Sequence, residues 1–266
     1  MAQTITLDNA LPAPRPRQDV PLEESYRRFF SAVPADTDEL LREAHRLRYQ
    51  VYCVEHPYED ASANSDGLER DEFDAHSVHG VLLHRGTGST VGTVRLVLHR
   101  PGAVTPSLPI YHVCDDPRLA ALPPESTVEL SRFAISKFFR RRVGDGDYGK
   151  FHDCQDLAAD LRRVIPFFTL GLFTVALQLG IANGTTHVCA VMEPALLRLV
   201  ARFGFHFHPV GPLVDYHGER QPCFNTVEAL MTGVEAERPD FWNVITDCGR
   251  LWAPRFHSHR QLDVFG

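Results

Sequence analysis

Glu129, Ser131 and Arg132 lie in the stretch TVELSRFAIS, residues 127–136. Its other residues have the β-branched, aromatic and aliphatic make-up of a buried strand. A carboxylate and a guanidinium are costly in a strand interior unless they are paired. Two kinds of work would justify them. In a dry pocket a glutamate is pushed toward neutrality and can take a proton as a general base. Beside an arginine it is held charged and becomes part of a structural ion pair. In a regular strand Glu129 and Arg132 point to opposite faces, and a bulge would bring them together or re-aim one. The residue pattern leaves both outcomes open.

Two further clusters could carry chemistry. In LERDEFDAHS, Glu69, Asp71 and Asp74 crowd three carboxylates into six residues. A metal would want a tighter oxygen cage than one loop offers. Pairing with arginines, with Arg48 and Arg95 as candidates inside apolar elements, plus capture of a cationic amine is the favoured reading. A solvated acidic loop is the alternative. In FFRRRVGDGDYGK, Arg140, Arg141 and Arg142 precede Gly144 and Gly146. Glycines let backbone N–H groups approach an anion, and a following helix start favours phosphate; a solvated basic turn is the alternative here. The fourteen histidines form no H-x-x-x-H or H-E-x-x-H pattern. His206 and His208 alternate with Phe205 and Phe207 as the polar face of a half-buried strand, so no metal is expected. No G-x-S-x-G motif or cysteine-nucleophile context is present.

The elements that must position these residues follow from periodicity. Ser25–Val33 reads as a strand or a helix. Asp36 or Asp38 is a candidate N-cap for a helix through Leu40, Leu41, Ala44, Leu47 and Val51, with Arg48 and Tyr52 four apart on a neighbouring face. Residues 55–76 read as an acidic loop. Strands at Val78–His84 and Val91–His99 flank the turn GTGST. Residues 100–124 are Pro-rich and irregular. After the strand at 127–136 and the basic loop come a helix over Leu157–Gly180, the strand THVCAVM, a helix from Pro194 to Gly204, and FHFHPVG with CFNTVEALM as a closing pair of strands. A short helix falls near 241–250. The order implies a mixed α+β sheet rather than a doubly wound one. We expect a polar tail over residues 1–20, one domain over 21–234 and an extension over 235–266.

Composition sets outer limits. The chain has 266 residues, 44% hydrophobic and 23% charged, with a net charge of -7, so nucleic acid is not an expected partner. Six cysteines without C-x-x-C spacing suit buried free thiols in a reducing cytoplasm. Val164–Ile181 runs eighteen residues without a charge, at the lower edge of spanning length. A helix packed on a sheet is the expectation, with peripheral membrane or partner contact as the alternative.

LRYQVYCVEHPYE, ERDEFDAHS, VGTVRLVL and VELSRFAIS occur in this order. Together they resemble the acyl-homoserine-lactone (autoinducer) synthases and N-acyl amino acid synthases of the GNAT fold, and in wording most of all the PEP-CTERM/exosortase system-associated acyltransferases. The resemblance covers roughly residues 25–230. It implies a GNAT-like, mostly antiparallel sheet flanked by helices. It also implies transfer of a fatty acyl group, long-chain by expectation, from an acyl-carrier-protein or CoA thioester to a primary amine, with no permanently bound cofactor. By the same resemblance Glu129 is the general base within E-x-S-R, with Ser131 and Arg132 beside it. Arg48, Tyr52, Glu69, Asp71, Asp74 and Arg95 form the substrate side, and Arg140, Arg141, Arg142, Gly144 and Gly146 face the donor phosphate or carrier protein. Autoinducer synthases carry a tryptophan between the first helix and the acidic loop, and residues 53–68 hold none. That points away from S-adenosylmethionine and toward an amino acid as the amine. A lactone synthase and a non-catalytic acyl-thioester sensor remain the alternatives.

Overall fold

The computed structural model describes residues 20–103, 107–137, 157–216 and 218–252. The first described element is helix α1 (Leu22–Phe29), which passes directly into strand β1 (Phe30–Pro34). The ambiguous Ser25–Val33 stretch is thus both. Glu23 and Glu24 in the first turn and Arg27 and Arg28 in the last suit the helix dipole, and Phe30 starts the alternation that pairs with β2. Helix α2 (Asp38–Tyr49) is capped by Thr37 rather than by Asp36 or Asp38. Thr37 is extended, and its hydroxyl accepts the Leu40 N–H at 3.2 Å. A π-helical turn, Gln50–Glu55, follows. It carries Tyr52 on a wider spiral than α2, so Arg48 and Tyr52 do not sit four apart on one regular helix.

Strands β2 (Ser77–His84) and β3 (Thr90–Val97) form the expected hairpin. The irregular stretch holds a 3-10 turn, Pro109–His112, and the short helix α3 (Pro117–Ala120). Then come β4 (Thr127–Ile135), the long helix α4 (Leu157–Ala182), β5 (His187–Met192), α5 (Pro194–Ala201), the short strands β6 (His208–Pro209) and β7 (Val214–Asp215), β8 (Glu219–Thr226), and helices α6 (Val227–Glu237) and α7 (Pro239–Ile245). The closing strands differ from expectation. FHFHPVG contributes only the two residues of β6, with His206 just outside it. CFNTVEALM changes state at Thr226, whose hydroxyl accepts the Ala229 N–H at 3.1 Å and starts α6. A β-branched residue that fits a strand can also cap a helix, and here it does both.

The strands form one sheet in the order β1-β2-β3-β4-β5-β8-β6, with β7 paired to β8. Among the described residues only β4 and β5 pair in parallel; the other pairings are antiparallel. Helix α4 crosses one face of the sheet, and Phe167, Phe168, Leu170, Leu172 and Val175 are buried in the main core. Its approach is close: a Cβ on Gly80 of β2 would lie 2.5 Å from Val175, so a glycine is needed there. No helix among the described residues is long and apolar enough to cross a membrane. Helix α2 lies on the opposite face, against β3 and β4.

The pairing of β4 with β5 is short. Thr127, Val128 and Glu129 face His187, Val188 and Cys189. Past Glu129, β4 stays with β3 as far as Ile135, while β5 stays with β8 as far as Met192. The two central strands therefore part beyond Glu129 and leave a wedge in the middle of the sheet. Cys53, Cys114, Cys189 and Cys223 are buried free thiols, and Cys248 is an exposed one.

Candidate active site

Strand β4 presents apolar residues to the α4 side and polar residues to the α2 side. Val128, Leu130 and Phe133 join the main core, and Glu129 and Ser131 face the other way. Strict alternation would send Arg132 into the α4 core. It does not go there. The register between β3 and β4 shifts between Thr93 and Arg95, so Arg95 faces Ser131 but Thr93 faces Ala134. Arg132 takes up this bulge with φ 49°, a left-handed backbone that costs a non-glycine residue roughly 1–2 kcal/mol. The bulge turns Arg132 onto the same side as Ser131 and Glu129, and Phe133 resumes the core face. Thus the bulge re-aims Arg132 and leaves Glu129 in regular strand geometry.

On that side three guanidiniums and four carboxylates interlock. Arg48 is fully buried; it binds Glu69 through Nε and Asp74 through both terminal nitrogens, at 2.7 and 3.0 Å. Arg95 donates to Ser131 Oγ at 3.0 Å, to Asp71 at 2.6 Å and to Asp74 at 2.8 Å. Arg132 reaches Glu69 at 2.8 Å, Asp71 at 2.9 Å and Glu59 at 2.9 Å. Its guanidinium also lies 5.3 Å from the centre of the Tyr52 ring. The acidic loop is itself pinned by a capping box, in which Asp71 and Asp74 accept each other's turn N–H groups. Burial pushes the Glu69 carboxyl up, but Arg48 and Arg132 outweigh it and hold it at about 2. Asp74 is likewise held well below the usual carboxylate range, with Arg48 and Arg95 overcoming its burial.

Glu129 stands apart from these pairs. It is 3% exposed, and its Oε2 accepts the Ile110 N–H at 2.6 Å. Burial raises its carboxyl to about 7, against the opposing pull of the Ile110 N–H and of Arg95 and Arg132. The two kinds of carboxylate recognised in the sequence are therefore separated in space. Glu69, Asp71 and Asp74 are neutralised by arginine, and Glu129 sits in a dry setting where the proton is finely balanced. It lies at the last residue pair that holds β4 to β5, so its strand position is the floor of the wedge.

On the α4 face beneath the wedge is an apolar cavity of about 420 Å³. Leu130 and Phe173 line it, with Ala176, Leu177 and Gly180 following along α4, and Phe205 and Phe207 closing another side. The ring centres of Phe173 and Phe205 are 4.1 Å apart.

Among the described residues, His45, Asp74 and His79 bring ligand-type atoms within 4.8 Å of one another. Both guanidiniums on Asp74 would oppose a dication there. Burial and then the Arg48 charge hold the His79 imidazole down at about 3, so it is neutral.

Sequence reasoning brought Arg48, Tyr52, Glu69, Asp71, Asp74, Arg95, Glu129, Ser131 and Arg132 into view, and the fold gathers all nine on one side of β4. Arg140, Arg141, Arg142, Gly144 and Gly146 lie outside the described residues. Three participants were missed: Glu59, which pairs with Arg132; the Ile110 N–H; and Glu55, whose carboxylate accepts the Lys137 N–H at 3.2 Å where β4 ends. Glu59 and Glu55 lay in plain sight in an acidic loop. A backbone donor has no signal in residue type, although Pro109 marked a turn beside it.

Residues 47–145 match the family model described as an acetyltransferase (GNAT) domain. No curated protein matches significantly. Among solved structures, FeeM, an N-acyl amino acid synthase from uncultured soil microbes, superposes with a TM-score of 0.50 at 17% identity, covering 78% of this chain and 96% of that one. BjaI, a CoA-dependent acyl-homoserine lactone synthase, superposes with a TM-score of 0.50 at 20% identity, covering 85% and 90%. The central wedge, the mostly antiparallel sheet and the family match agree: the chain has the GNAT fold, with its GNAT acetyltransferase domain recognised over residues 47–145.

Proposed function

We propose that the protein is an N-acyltransferase that moves a long fatty acyl group from a carrier-protein or CoA thioester to the primary amine of an amino acid. The observation that carries this reading is Glu129, a buried carboxyl raised to about 7 at the floor of the wedge, with an apolar cavity behind it. The acyl chain fills the cavity on the α4 face, and the thioester carbonyl rests between the parted strands. A methylene takes about the volume of a water in the liquid, roughly 30 Å³, so 420 Å³ suits a chain of a dozen carbons or more.

The amine approaches from the polar face. Side chains of Glu59 and Asp71 are 26% and 23% exposed. They offer acceptors to an incoming ammonium while Arg132 holds them in place. Glu129, directly or through one water, takes the ammonium proton, and the lone pair this frees attacks the thioester carbon. Backbone N–H groups freed where β4 leaves β5 stabilise the oxyanion. Collapse of the tetrahedral adduct breaks the C–S bond and forms the amide, and the second proton lost by the nitrogen passes to the departing thiolate, which leaves as the thiol. Arg140, Arg141 and Arg142 belong to the donor's phosphate or acidic carrier. The absence of tryptophan between residues 53 and 68 supports an amino acid over S-adenosylmethionine as acceptor.

The decisive assay is thiol release from acyl-carrier-protein and acyl-CoA donors against a panel of amino acids, with wild type and Glu129→Gln. The variant should remain folded and be slower by at least about tenfold. Unchanged turnover removes Glu129 as the base. Donor binding without thiol release from any acceptor would favour a sensor.

A further inference from the structure

Helix α4 ends in a Schellman turn. Gly184, with φ 66°, is its left-handed residue; the Thr185 N–H returns to the Gly180 carbonyl at 2.9 Å and the Gly184 N–H to the Ile181 carbonyl at 3.2 Å. In this motif the residue at the position of Gly180 ordinarily makes an apolar contact with the one at the position of Thr185. A glycine there forgoes that contact and weakens the helix relative to alanine.

Neither backbone nor packing asks for glycine at 180. Its φ is not in the left-handed region, unlike that of Gly184. A Cβ would meet only Thr185, at 3.5 Å, which is ordinary contact. The contrast is Gly171 in the same helix, where a Cβ would come within 2.5 Å of Leu82. What the missing side chain leaves free is space, because Gly180 and Thr185 both line the apolar cavity. Gly180 stands seven residues past Phe173 on α4, about 10 Å further from the wedge along the helix axis. It therefore borders the far end of the cavity, where the tail of a chain entering past Leu130 and Phe173 would lie.

We propose that Gly180 is a specificity-determining residue, which keeps the distal end of the cavity open and thereby admits long acyl chains. The inference rests on the acyl-transfer reading for its biological sense, but it can be tested without turnover. The probe is a series of straight-chain fatty acids from decanoate to octadecanoate, titrated calorimetrically against wild type, Gly180→Ala and Gly180→Leu. Each methylene excluded from the cavity weakens binding by roughly fourfold. Gly180→Leu should therefore lose at least about tenfold affinity for hexadecanoate and keep decanoate within about twofold. Gly180→Ala should bind the longest chains more weakly, to a smaller extent, while melting at a higher temperature. The same length profile in wild type and the folded variants overturns the inference, as does wild-type protein that binds none of the series. If Gly180→Leu does not fold, Gly180→Ala decides the matter, since its methyl group fits at ordinary contact distance. A length profile that shifts as expected, in a protein that releases no thiol from any donor, would support this role of Gly180 and sink acyl transfer instead.

Discussion

Replacing Glu129 by glutamine should make the protein more stable as well as less active, and the gain should depend on pH. The carboxyl is raised from 4.5 to about 7 in the fold, chiefly by burial. At 1.36 kcal/mol per pKa unit, that difference amounts to about 3 kcal/mol. The folded state binds the proton more tightly than the unfolded chain does. Stability from this group is therefore intact below pH 4.5, declines as pH rises toward 7, and is fully lost above it. Glutamine carries no charge, and its carbonyl can still accept the Ile110 N–H. At pH 8.5 Glu129→Gln should exceed wild type by up to about 3 kcal/mol, and at pH 4.5 the two should nearly coincide. Urea unfolding followed by circular dichroism at both pH values measures this. The companion kinetics should show wild-type kcat/KM climbing through about pH 7 as the base loses its proton. A stability difference that is the same at both pH values would refute the argument, since Glu129 would then not be held near neutrality. The assignment of the base would lose its physical ground.

Other expectations concern the charge network and its supports. Arg48→Met leaves Glu69 and Asp74 short of a partner in a buried site; it should cost about 3–5 kcal/mol in denaturant unfolding, and a change under 1 kcal/mol would show that the remaining arginines suffice. Glu69 titrates at about 2 in the fold against an ordinary 4.5, so its contribution is present above pH 4.5 and fades as pH falls toward 2. Glu69→Gln should therefore lose its stability deficit relative to wild type on acidification, as read by urea unfolding at pH 6 and pH 2.5. Thr226→Ala removes the α6 cap and should lower stability by about 1 kcal/mol, with no change if the cap hydroxyl is idle. Arg141→Ala with Arg142→Ala should raise the donor KM in thiol-release assays and leave kcat nearly unchanged; an unaltered KM would make the basic loop a bystander.

Several features were legible because they depend on residue type and spacing alone. The β2–β3 hairpin, the β4 and β5 strands and the long α4 helix follow from alternation, turn chemistry and an uncharged run. The order of the four motifs around Arg48, Glu69, Arg95 and Glu129 carried the resemblance that implied the candidate site. The α6 start was not legible, because Thr226 suits both the strand it ends and the helix it caps. Tyr52 was assigned to a regular helix, and the π-helical turn that carries it has no composition signature.

Residue type and spacing left open whether Glu129 is a base or a member of an ion pair, because acidity is set by what surrounds a group rather than by its neighbours in sequence. Glu69 lies in an acidic loop and Glu129 in an apolar strand, but neither stretch shows which charged groups the fold brings against them. Glu69 is held at about 2 by Arg48 and Arg132, and Glu129 is raised to about 7 in a place those arginines do not reach by direct contact. The sequence alone determined that charged residues would have to be accommodated in the strand at 127–136, because burying an unpaired charge there is too costly. Only the tertiary structure decided how: a bulge at Arg132 turns its side chain out of the apolar face into the acidic loop, and the parting of β4 from β5 leaves Glu129 at the floor of the wedge.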